Sequence, residues 1–312
     1  HVEYLARLLM DDFQVASLSR GYRRRTRDFR IATTTSPVRE IGDESLQVKR
    51  RFPQITVAVD RKRVNGSKQL SRKSPPVEVI LLDDAYQHRS IKAGLSILLI
   101  DYSRPIHRDC LLPAGSLREP ASKRSRANII LITRTPENIS GIERREYVRN
   151  FGLSPGQHLY FTSMHYGDLE PVFPGIDEKS AERIPEQAEG ILLVSGIANP
   201  RALREYAQHI QSNLLELNFP DHHYYRKKDM EKISAAYHRL KENCREVLVL
   251  TTEKDAVRLR EQEPEPQLRD ALYAVPIEVY FLNNDKDEFD RQILSYVSSN
   301  RRSSILYQGT DS

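Results

Sequence analysis

The chain has 312 residues, of which 39% are hydrophobic and 29% are charged, and its formal net charge is +5. This length and composition exclude a disordered or fibrous protein and leave room for two ordinary domains. Its two cysteines are too few for a disulfide framework or a zinc motif, which fits a reducing compartment, and no apolar run approaches the roughly 20 residues that span a bilayer.

The first half of the sequence alternates a helical pattern with short apolar runs. It opens with an amphipathic helix over 1–10, and the runs that follow are 14–19, 29–34, 54–60, 77–84, 95–101 and 128–133. Runs that are apolar throughout are typical of strands covered on both faces, so we predict a mostly parallel α/β sheet flanked by helices. The ligand is expected beyond the carboxyl ends of these strands, where the sequence places Ser19, Asp60, Asp83, Asp84 and Asp101.

A smaller α/β unit is predicted in the second half. The stretch 190–200 restarts a strand, turn and helix pattern, helical patterns cover 200–210 and 227–244, and a further strand pattern covers 246–252. The segment 275–282 is expected to return and pair with 158–173, which makes a two-strand hinge. The predicted organisation is therefore a core over 1–157, hinge strands, a smaller domain over 174–274, and a C-terminal helix and loose tail over 283–312.

The stretch RGYRRRTRDFR, residues 20–30, carries six arginines around two aromatic residues. Such a run is suited to phosphate, nucleic acid or an anionic membrane surface. A solvated loop is the simpler interpretation of a charge run. Its position directly after a predicted strand favours binding.

The stretch EVILLDDAYQHR, residues 78–89, ends an apolar strand in two adjacent carboxylates. Neighbouring side chains on a strand point to opposite faces, so a buried carboxylate here would need a partner or a metal. Alternatively, both acids lie beyond the strand, solvated or capping a helix. A hydrophobic strand ending in Asp-Asp is also typical of the magnesium-holding strand in phosphate-loop nucleotide hydrolases and kinases.

The glycine loop that accompanies such a strand, G-x-x-x-x-G-K-[ST], does not occur in these residues. The chain opens inside a predicted helix that has no N-cap residue and no preceding strand. We therefore predict that the first strand and the phosphate loop lie upstream of His1. On that expectation the 312-residue chain alone has little or no kinase activity.

Six short stretches, taken in order, resemble the tetraacyldisaccharide 4′-kinases, the lipid A 4′-kinases of Gram-negative bacteria. They are LSRGYRRR (18–25), GDE (42–44), ILLDDAYQHR (80–89), LLPAGSLREP (111–120), FPDH (219–222) and TTEKDAVRL (251–259). Ala85 and Tyr86 stand where the family typically has Gly and Phe. The resemblance implies a P-loop kinase-like fold and transfer of the ATP γ-phosphate to the 4′-hydroxyl of tetraacyldisaccharide 1-phosphate, which gives lipid IVA.

The resemblance also implies roles for individual residues. Asp43 and His222 would form the catalytic acid–histidine pair, although the residues alone favour an ordinary helix N-cap and a solvated loop histidine, and His223 is a rival base. The implied magnesium ligands are Asp83, Asp84 and Glu119; otherwise Glu119 is a loop acid paired with a neighbouring arginine. The implied substrate contacts are Arg20, Arg23, Gln87, His88 and Arg118.

ATP and Mg²⁺ are the cofactors that the resemblance implies, and an acylated glucosamine disaccharide 1-phosphate is the substrate. It further implies a peripheral location on the cytoplasmic face of the inner membrane, where the basic excess attracts anionic lipid. No nucleic acid and no obligate protein partner are expected. Two other classes stay open: another P-loop NTPase, which would not need His222, and a non-catalytic basic module for phosphate or nucleic acid, which would tolerate Asp43→Asn and Asp83→Asn.

Overall fold

A computed structural model describes residues 1–88, 90–173 and 187–308, with side chains as far as Arg301. Residues 174–186 of the predicted smaller domain, Arg89 of the acidic motif and 309–312 of the predicted tail lie outside the described residues. Within the described ranges the strands form two four-stranded sheets and one five-stranded sheet.

The first sheet is mostly parallel, as the apolar runs predicted. Its order is β2 (Arg30–Ile31), β3 (Thr56–Val59), β1 (Val15–Ser19) and β4 (Val79–Leu82). β1 pairs parallel with β3 and β4, and the short β2 pairs antiparallel with β3. The strand predicted over 29–34 is wrong in length: after Ala32 the chain turns, because the Ser36 hydroxyl accepts the Thr33 N–H (2.9 Å).

The second sheet continues the parallel arrangement and ends in one antiparallel strand. Its order is β13 (Ile277–Phe281), β7 (His158–Tyr166), β6 (Ile129–Thr133) and β5 (Ile97–Asp101). The predicted pairing of 158–173 with 275–282 is present between β7 and β13, with Tyr166 opposite Ile277. It starts at Ile277 because Pro276 has no N–H to donate and Val275 belongs to another sheet.

The five-stranded sheet holds the more buried strands. Its order is β10 (Leu214–Asn218), β9 (Gly190–Ser195), β11 (Val247–Thr252), β12 (Leu272–Val275) and β8 (Glu170–Pro171). Every residue of β9 and β11 is buried, which fits the continuous apolar character of these runs. β8 is the end of the predicted 158–173 strand, and it crosses into this sheet to pair antiparallel with β12.

Helices cover the sheets and connect them. They are α1 (Val2–Leu9), α2 (Val38–Ile41), α3 (Asp43–Arg51), α4 (Arg63–Ser71), α5 (Gly141–Phe151), α6 (Arg201–Ile210), α7 (Lys227–Lys241), α8 (Glu253–Leu259), α9 (Pro266–Asp270) and α10 (Lys286–Gln308). Helices α1 and α10 share one apolar core with the two four-stranded sheets. The segment from 300 to 308, predicted to be loose, is helical, because the sequence has no glycine or proline before Gly309 to end α10. No helix in the described part of the chain is long and apolar enough to cross a bilayer.

A cavity of about 2520 Å³ separates β4 from β5. The two strands line the cavity and belong to different sheets, and neither pairs with the other. The loops that follow the carboxyl ends of both strands also contribute to its walls. The fold thus opens a large space at the edge of the sheets where parallel α/β proteins hold their ligands.

Candidate active site

Two glycines bring the LSRGY and GDE motifs into contact. Gly21 and Gly42 both have positive φ, +66° and +90°, which glycine adopts without strain. A Cβ atom on Gly21 would lie 2.6 Å from the carbonyl oxygen of Ile41, and one on Gly42 would lie 3.0 Å from the carbonyl oxygen of Tyr22. Glycine at both positions therefore lets Tyr22 approach the start of α3.

Asp43 meets His222 where α3 faces the five-stranded unit. Asp43 is 4% exposed, its Oδ2 lies 2.8 Å from Nδ1 of His222, and the Tyr22 ring lies 5.1 Å from the imidazole ring. Asp43 is the first residue of α3, where Gly42 is the N-cap, and its Oδ1 accepts the N–H of Glu44 (2.9 Å) while Oδ2 faces His222. Neither an N-cap nor a solvated loop histidine describes the pair.

Arg258, which sequence reasoning missed, completes this group. It is 2% exposed, and it donates to Asp43 Oδ2 through Nη2 and through Nε (3.1 Å). Asp43, His222 and Arg258 are called the seam from here on. Burial opposes the charge on Asp43, but Arg258 and then His222 outweigh it and hold the pKa of Asp43 below its ordinary value.

The seam favours one tautomer of the imidazole. Nδ1 of His222 lies 2.8 Å from Oδ2 of Asp43 and 3.2 Å from Nη2 of Arg258, and the shorter contact, with a charged acceptor, favours a proton on Nδ1. Neutral imidazole then has its lone pair on Nε2. The arrangement therefore leaves Nε2 able to accept a proton from a hydroxyl group.

A second aspartate anchors the seam from the five-stranded unit. Asp255 Oδ1 accepts from Nη1 of Arg258 (2.9 Å), and its Oδ2 accepts from the N–H of Gly196 (2.9 Å). The carbonyl of Gly196 accepts the N–H of His222 (3.0 Å). His222 has φ +56°, a conformation that costs a non-glycine residue energy and persists where neighbours impose it.

His223, the rival base, faces a different partner. Its Nε2 lies 3.0 Å from Oδ2 of Asp229, and its ring stacks on Phe219 at 4.8 Å. Both partners belong to the same unit as His223. Of the two histidines, His222 is the one that contacts Asp43 in the other half of the chain.

Further ion pairs join α3 to α8 beside the seam. Glu44 pairs with Lys254 at 2.5 Å, and Arg51 pairs with Glu253 at 2.5 Å. Arg23, predicted to contact substrate, donates instead to the carbonyl of Asp221 at 2.9 Å, next to His222. Four motifs therefore converge on one contact between the two halves of the chain.

Asp83 and Asp84 follow β4 at the cavity. The Asp83 carbonyl accepts from Nη2 of Arg63 (2.5 Å), a fully buried side chain on α4. Burial raises the pKa of Asp83, and the nearby Glu44 and Asp84 raise it further, against the attraction of Arg63. Glu44, Asp83 and Asp84 are called the acidic cleft from here on.

Sequence reasoning did not single out Glu44, although it stands in the GDE motif. Glu44 could have been found from the sequence, because it follows Asp43 in the GDE motif, which is one of the stretches that carry the family resemblance. Its proximity to Asp83 joins α3 to the end of β4, a contact that only the fold supplies.

The other predicted ligands divide into two groups. Gln87, His88 and Arg118 line the cavity together with Asp83 and Asp84. Glu119 forms an ion pair with Arg126, which is the loop-acid alternative, and in the described residues no three acidic, histidine or cysteine side chains are grouped to hold a metal. Arg20 is exposed.

Two acids at strand ends have structural partners. Asp60 Oδ1 accepts from the N–H of Lys62 (2.8 Å), and its Oδ2 accepts from the amide of Asn65 (2.7 Å). Asp101 pairs with Arg134. These bonds fix the loops after β3 and β5.

Comparisons with known proteins agree on one family. The family model described as tetraacyldisaccharide-1-P 4′-kinase matches residues 1–298. A tetraacyldisaccharide 4′-kinase of Bacteroides fragilis is 45% identical over 100% of this chain and 83% of its own length. The same enzyme of Bacteroides thetaiotaomicron is 43% identical over 97% of this chain and 82% of its own. That of Flavobacterium johnsoniae is 41% identical over 96% and 83%.

A solved structure shares the fold. LpxK from Aquifex aeolicus, crystallised in complex with ATP, superposes with a TM-score of 0.68 at 24% identity, covering 95% of this chain and 82% of that one. The predicted fold class, a P-loop kinase-like α/β fold with parallel sheets flanked by helices, is confirmed.

Proposed function

The chain belongs to the tetraacyldisaccharide-1-P 4′-kinase family, and on that premise we propose that the seam provides its catalytic base and the acidic cleft its metal–nucleotide site. It is an ATP-dependent kinase of lipid A biosynthesis. Its reaction transfers the γ-phosphate of ATP to the 4′-hydroxyl of tetraacyldisaccharide 1-phosphate, giving lipid IVA. The other nucleotide hydrolases and the non-catalytic basic module are thereby set aside.

In the proposed mechanism His222 removes the proton from the 4′-hydroxyl. Nε2 accepts the proton, while Asp43 holds Nδ1–H and stabilises the imidazolium that forms. Arg258 keeps Asp43 charged, so the pair is ready before substrate arrives. A positioned base of this kind typically contributes about 10²–10⁴-fold to the rate.

The acidic cleft suits Mg²⁺ by the chemistry of its donors. Carboxylate oxygens are the ligands a hard cation prefers, and a cluster in which Asp83 has a raised pKa gains from added positive charge. Asp83 and Asp84 would hold the ion, and the negative charge of Glu44 would act on it from nearby. An ion held there would supply positive charge to the phosphate oxygens of ATP during transfer.

The other proposed substrate contacts are assigned from where each side chain lies in the structure. Gln87, His88 and Arg118 at the cavity are suited to the sugar and its 1-phosphate, since guanidinium binds phosphate by paired hydrogen bonds. Arg20 is exposed and available to acidic head groups. For Arg23 we propose a role in holding the loop that carries His222.

The same proposal includes domain organisation and location. The core over 1–157 and the smaller domain over 174–274 would close about β7 and β13, and the closed arrangement, in which the seam is formed, would exclude water. An acylated substrate and a net charge of +5 support a peripheral location on the cytoplasmic face of the inner membrane.

The observation that carries the proposal is the 2.8 Å contact of Asp43 with His222. In the full-length protein, His222→Ala is expected to lower kcat by about 10²–10⁴-fold with little change in KM for ATP. His223→Ala is the matched control and should keep kcat near that of the wild type. Transfer of labelled phosphate from ATP to tetraacyldisaccharide 1-phosphate measures both, and equal losses in the two variants would contradict the proposal.

A further inference from the structure

The loop after β5 exposes a contiguous apolar stretch. Cys110, Leu111, Leu112, Pro113 and Ala114 are all exposed, and Leu111 and Leu112 are exposed by 44% and 61%. These five residues are called the apolar tip. Contiguous exposure of apolar residues marks an interaction surface more often than a single exposed side chain does.

The apolar tip is held in shape at its base. Asp109 Oδ1 accepts the N–H groups of Cys110 (2.7 Å) and Ser116 (3.0 Å). Leu112 donates its N–H to the carbonyl of Leu117 (2.9 Å), and Leu117 donates to the carbonyl of Cys110 (3.0 Å). The backbone bonds are satisfied within the loop, so the leucines are presented outward by a defined turn.

Glycine is required at the base of the tip. A Cβ atom on Gly115 would lie 2.3 Å from Oδ1 of Asp109 and 2.3 Å from the carbonyl oxygen of Cys110. Both contacts are too close for any other residue. The sequence LLPAGS therefore specifies this compact loop.

Three arginines flank the apolar tip in sequence. Arg104, Arg108 and Arg118 are exposed, and none forms a hydrogen bond or ion pair through its side chain in the described residues. Two acids of the same segment are engaged, since Asp109 is bonded to Ser116 and Glu119 to Arg126. An exposed apolar stretch flanked by unpaired arginines matches an anionic bilayer.

The apolar tip stands at the rim of the cavity. Asp109, Ser116, Leu117 and Arg118, which form its base, line the cavity between β4 and β5. A bilayer in contact with the tip would therefore meet the opening through which a lipid head group must enter.

We propose that the apolar tip inserts into the anionic bilayer that carries the substrate, with Arg104 and Arg108 on lipid phosphates. The identity of the lipid substrate rests on the proposed function, whereas insertion itself does not. A protein partner would also cover leucines, but the unpaired arginines that flank the tip favour lipid phosphate.

The test is sedimentation of the full-length protein with vesicles of phosphatidylcholine, alone or mixed with phosphatidylglycerol. Leu111→Ser/Leu112→Ser should lower partition to mixed vesicles by about tenfold, because two leucine side chains leave the acyl region. Ile142→Ser is the matched control: Ile142 is 70% exposed on α5 and is not part of the tip, so partition should stay unchanged. Arg104→Gln/Arg108→Gln should lower the preference for phosphatidylglycerol by on the order of tenfold.

Kinase turnover separates the two proposals. The leucine variant should keep its kcat on substrate in detergent micelles and lose turnover on vesicles. Wild-type partition by the leucine variant, or an equal loss in Ile142→Ser, would overturn insertion by the tip. Absent kinase activity in the wild type, together with the expected loss of vesicle binding, would leave insertion standing and refute the proposed function.

Discussion

The seam and the acidic cleft each contain a poorly solvated aspartate, but their charges are balanced in opposite ways. Asp43 is held by Arg258 and His222, and its pKa is lowered. Asp83 faces Glu44 and Asp84, and its pKa is raised. The seam is therefore electrostatically complete in the protein alone. In the cleft Lys254 pairs with Glu44 and Arg63 attracts Asp83, yet the pKa of Asp83 stays raised, so an added cation would stabilise its charge. This difference distinguishes a preassembled base from a ligand site.

The largest expected effect comes from removing the positive charge that balances Asp43 in the seam. Arg258→Gln leaves Asp43 buried with its main cation removed, and the free energy of unfolding should fall by about 3–5 kcal/mol. Urea denaturation of the variant and the wild type at pH 7 measures the loss.

A double variant controls for simple loss of packing. Asp43→Asn/Arg258→Gln removes the uncompensated charge, so its stability should exceed that of Arg258→Gln alone. If the double variant is less stable than the wild type by the sum of the two single losses, Arg258 acts by packing and the charge balance is not its role.

A third group of charged residues combines features of the seam and the acidic cleft, because three carboxylates there share one guanidinium. Arg51 contacts Glu253, Glu3 and Glu278. Burial, with Glu3, raises the pKa of Glu253 to about 7. The folded protein thus binds this proton more tightly than the unfolded chain, so the free energy of unfolding falls as pH rises from 4.5 to about 7.

Glu253→Gln should remove this decrease in the free energy of unfolding with rising pH. At pH 8 the variant is expected to be more stable than the wild type by on the order of 2 kcal/mol, and at pH 5 the two should converge. Thermal unfolding at both pH values gives the comparison. Glu205→Gln, which loses an exposed pair with Arg201, is the control and should change stability by less than about 0.5 kcal/mol at either pH. A pH-independent gain in Glu253→Gln would argue against the shared-cation explanation.

The smallest expected effect concerns the cleft. At Mg²⁺ ten times its dissociation constant, the wild type should gain about 1.4 kcal/mol of stability, since the ion binds the folded state. Asp83→Asn should lose most of this gain at the same Mg²⁺ concentration. Asp101→Asn removes an acid at the end of the neighbouring strand that is already paired with Arg134, and it should respond to Mg²⁺ like the wild type. An undiminished response in Asp83→Asn would remove Asp83 from the metal site.

Much of the architecture was predictable because it depends on local pattern. The buried runs of β9 and β11, and the return of 275–282 to 158–173, follow from hydrophobicity and strand propensity. The approach of Asp43 to His222 came from motif resemblance, because no local pattern links two residues so far apart in sequence.

What the sequence did not reveal depends on tertiary contacts. Arg258 reads as a charged helix residue, and only the fold shows that it is buried between two aspartates. Helix α4 was not predicted, because Asn65-Gly66 is a turn signal; there Gly66 allows the helix to approach Leu18 of β1 closely. Strand β2 was predicted too long, because side-chain bonds from Ser36 compete with the ladder.

The register of β7 against β13 has a consequence for protein engineering. Tyr166 and Ile277 are direct partners, and the N–H of Gly167 donates to the carbonyl of Pro276 (3.0 Å). Everything from Gly167 to Pro276 is therefore topologically the loop of a single β-hairpin. A chimaera with a relative would need only two junctions, and these lie side by side in the structure. The exchanged segment would carry His222, Arg258 and Asp255 together, while Asp43 would come from the recipient protein.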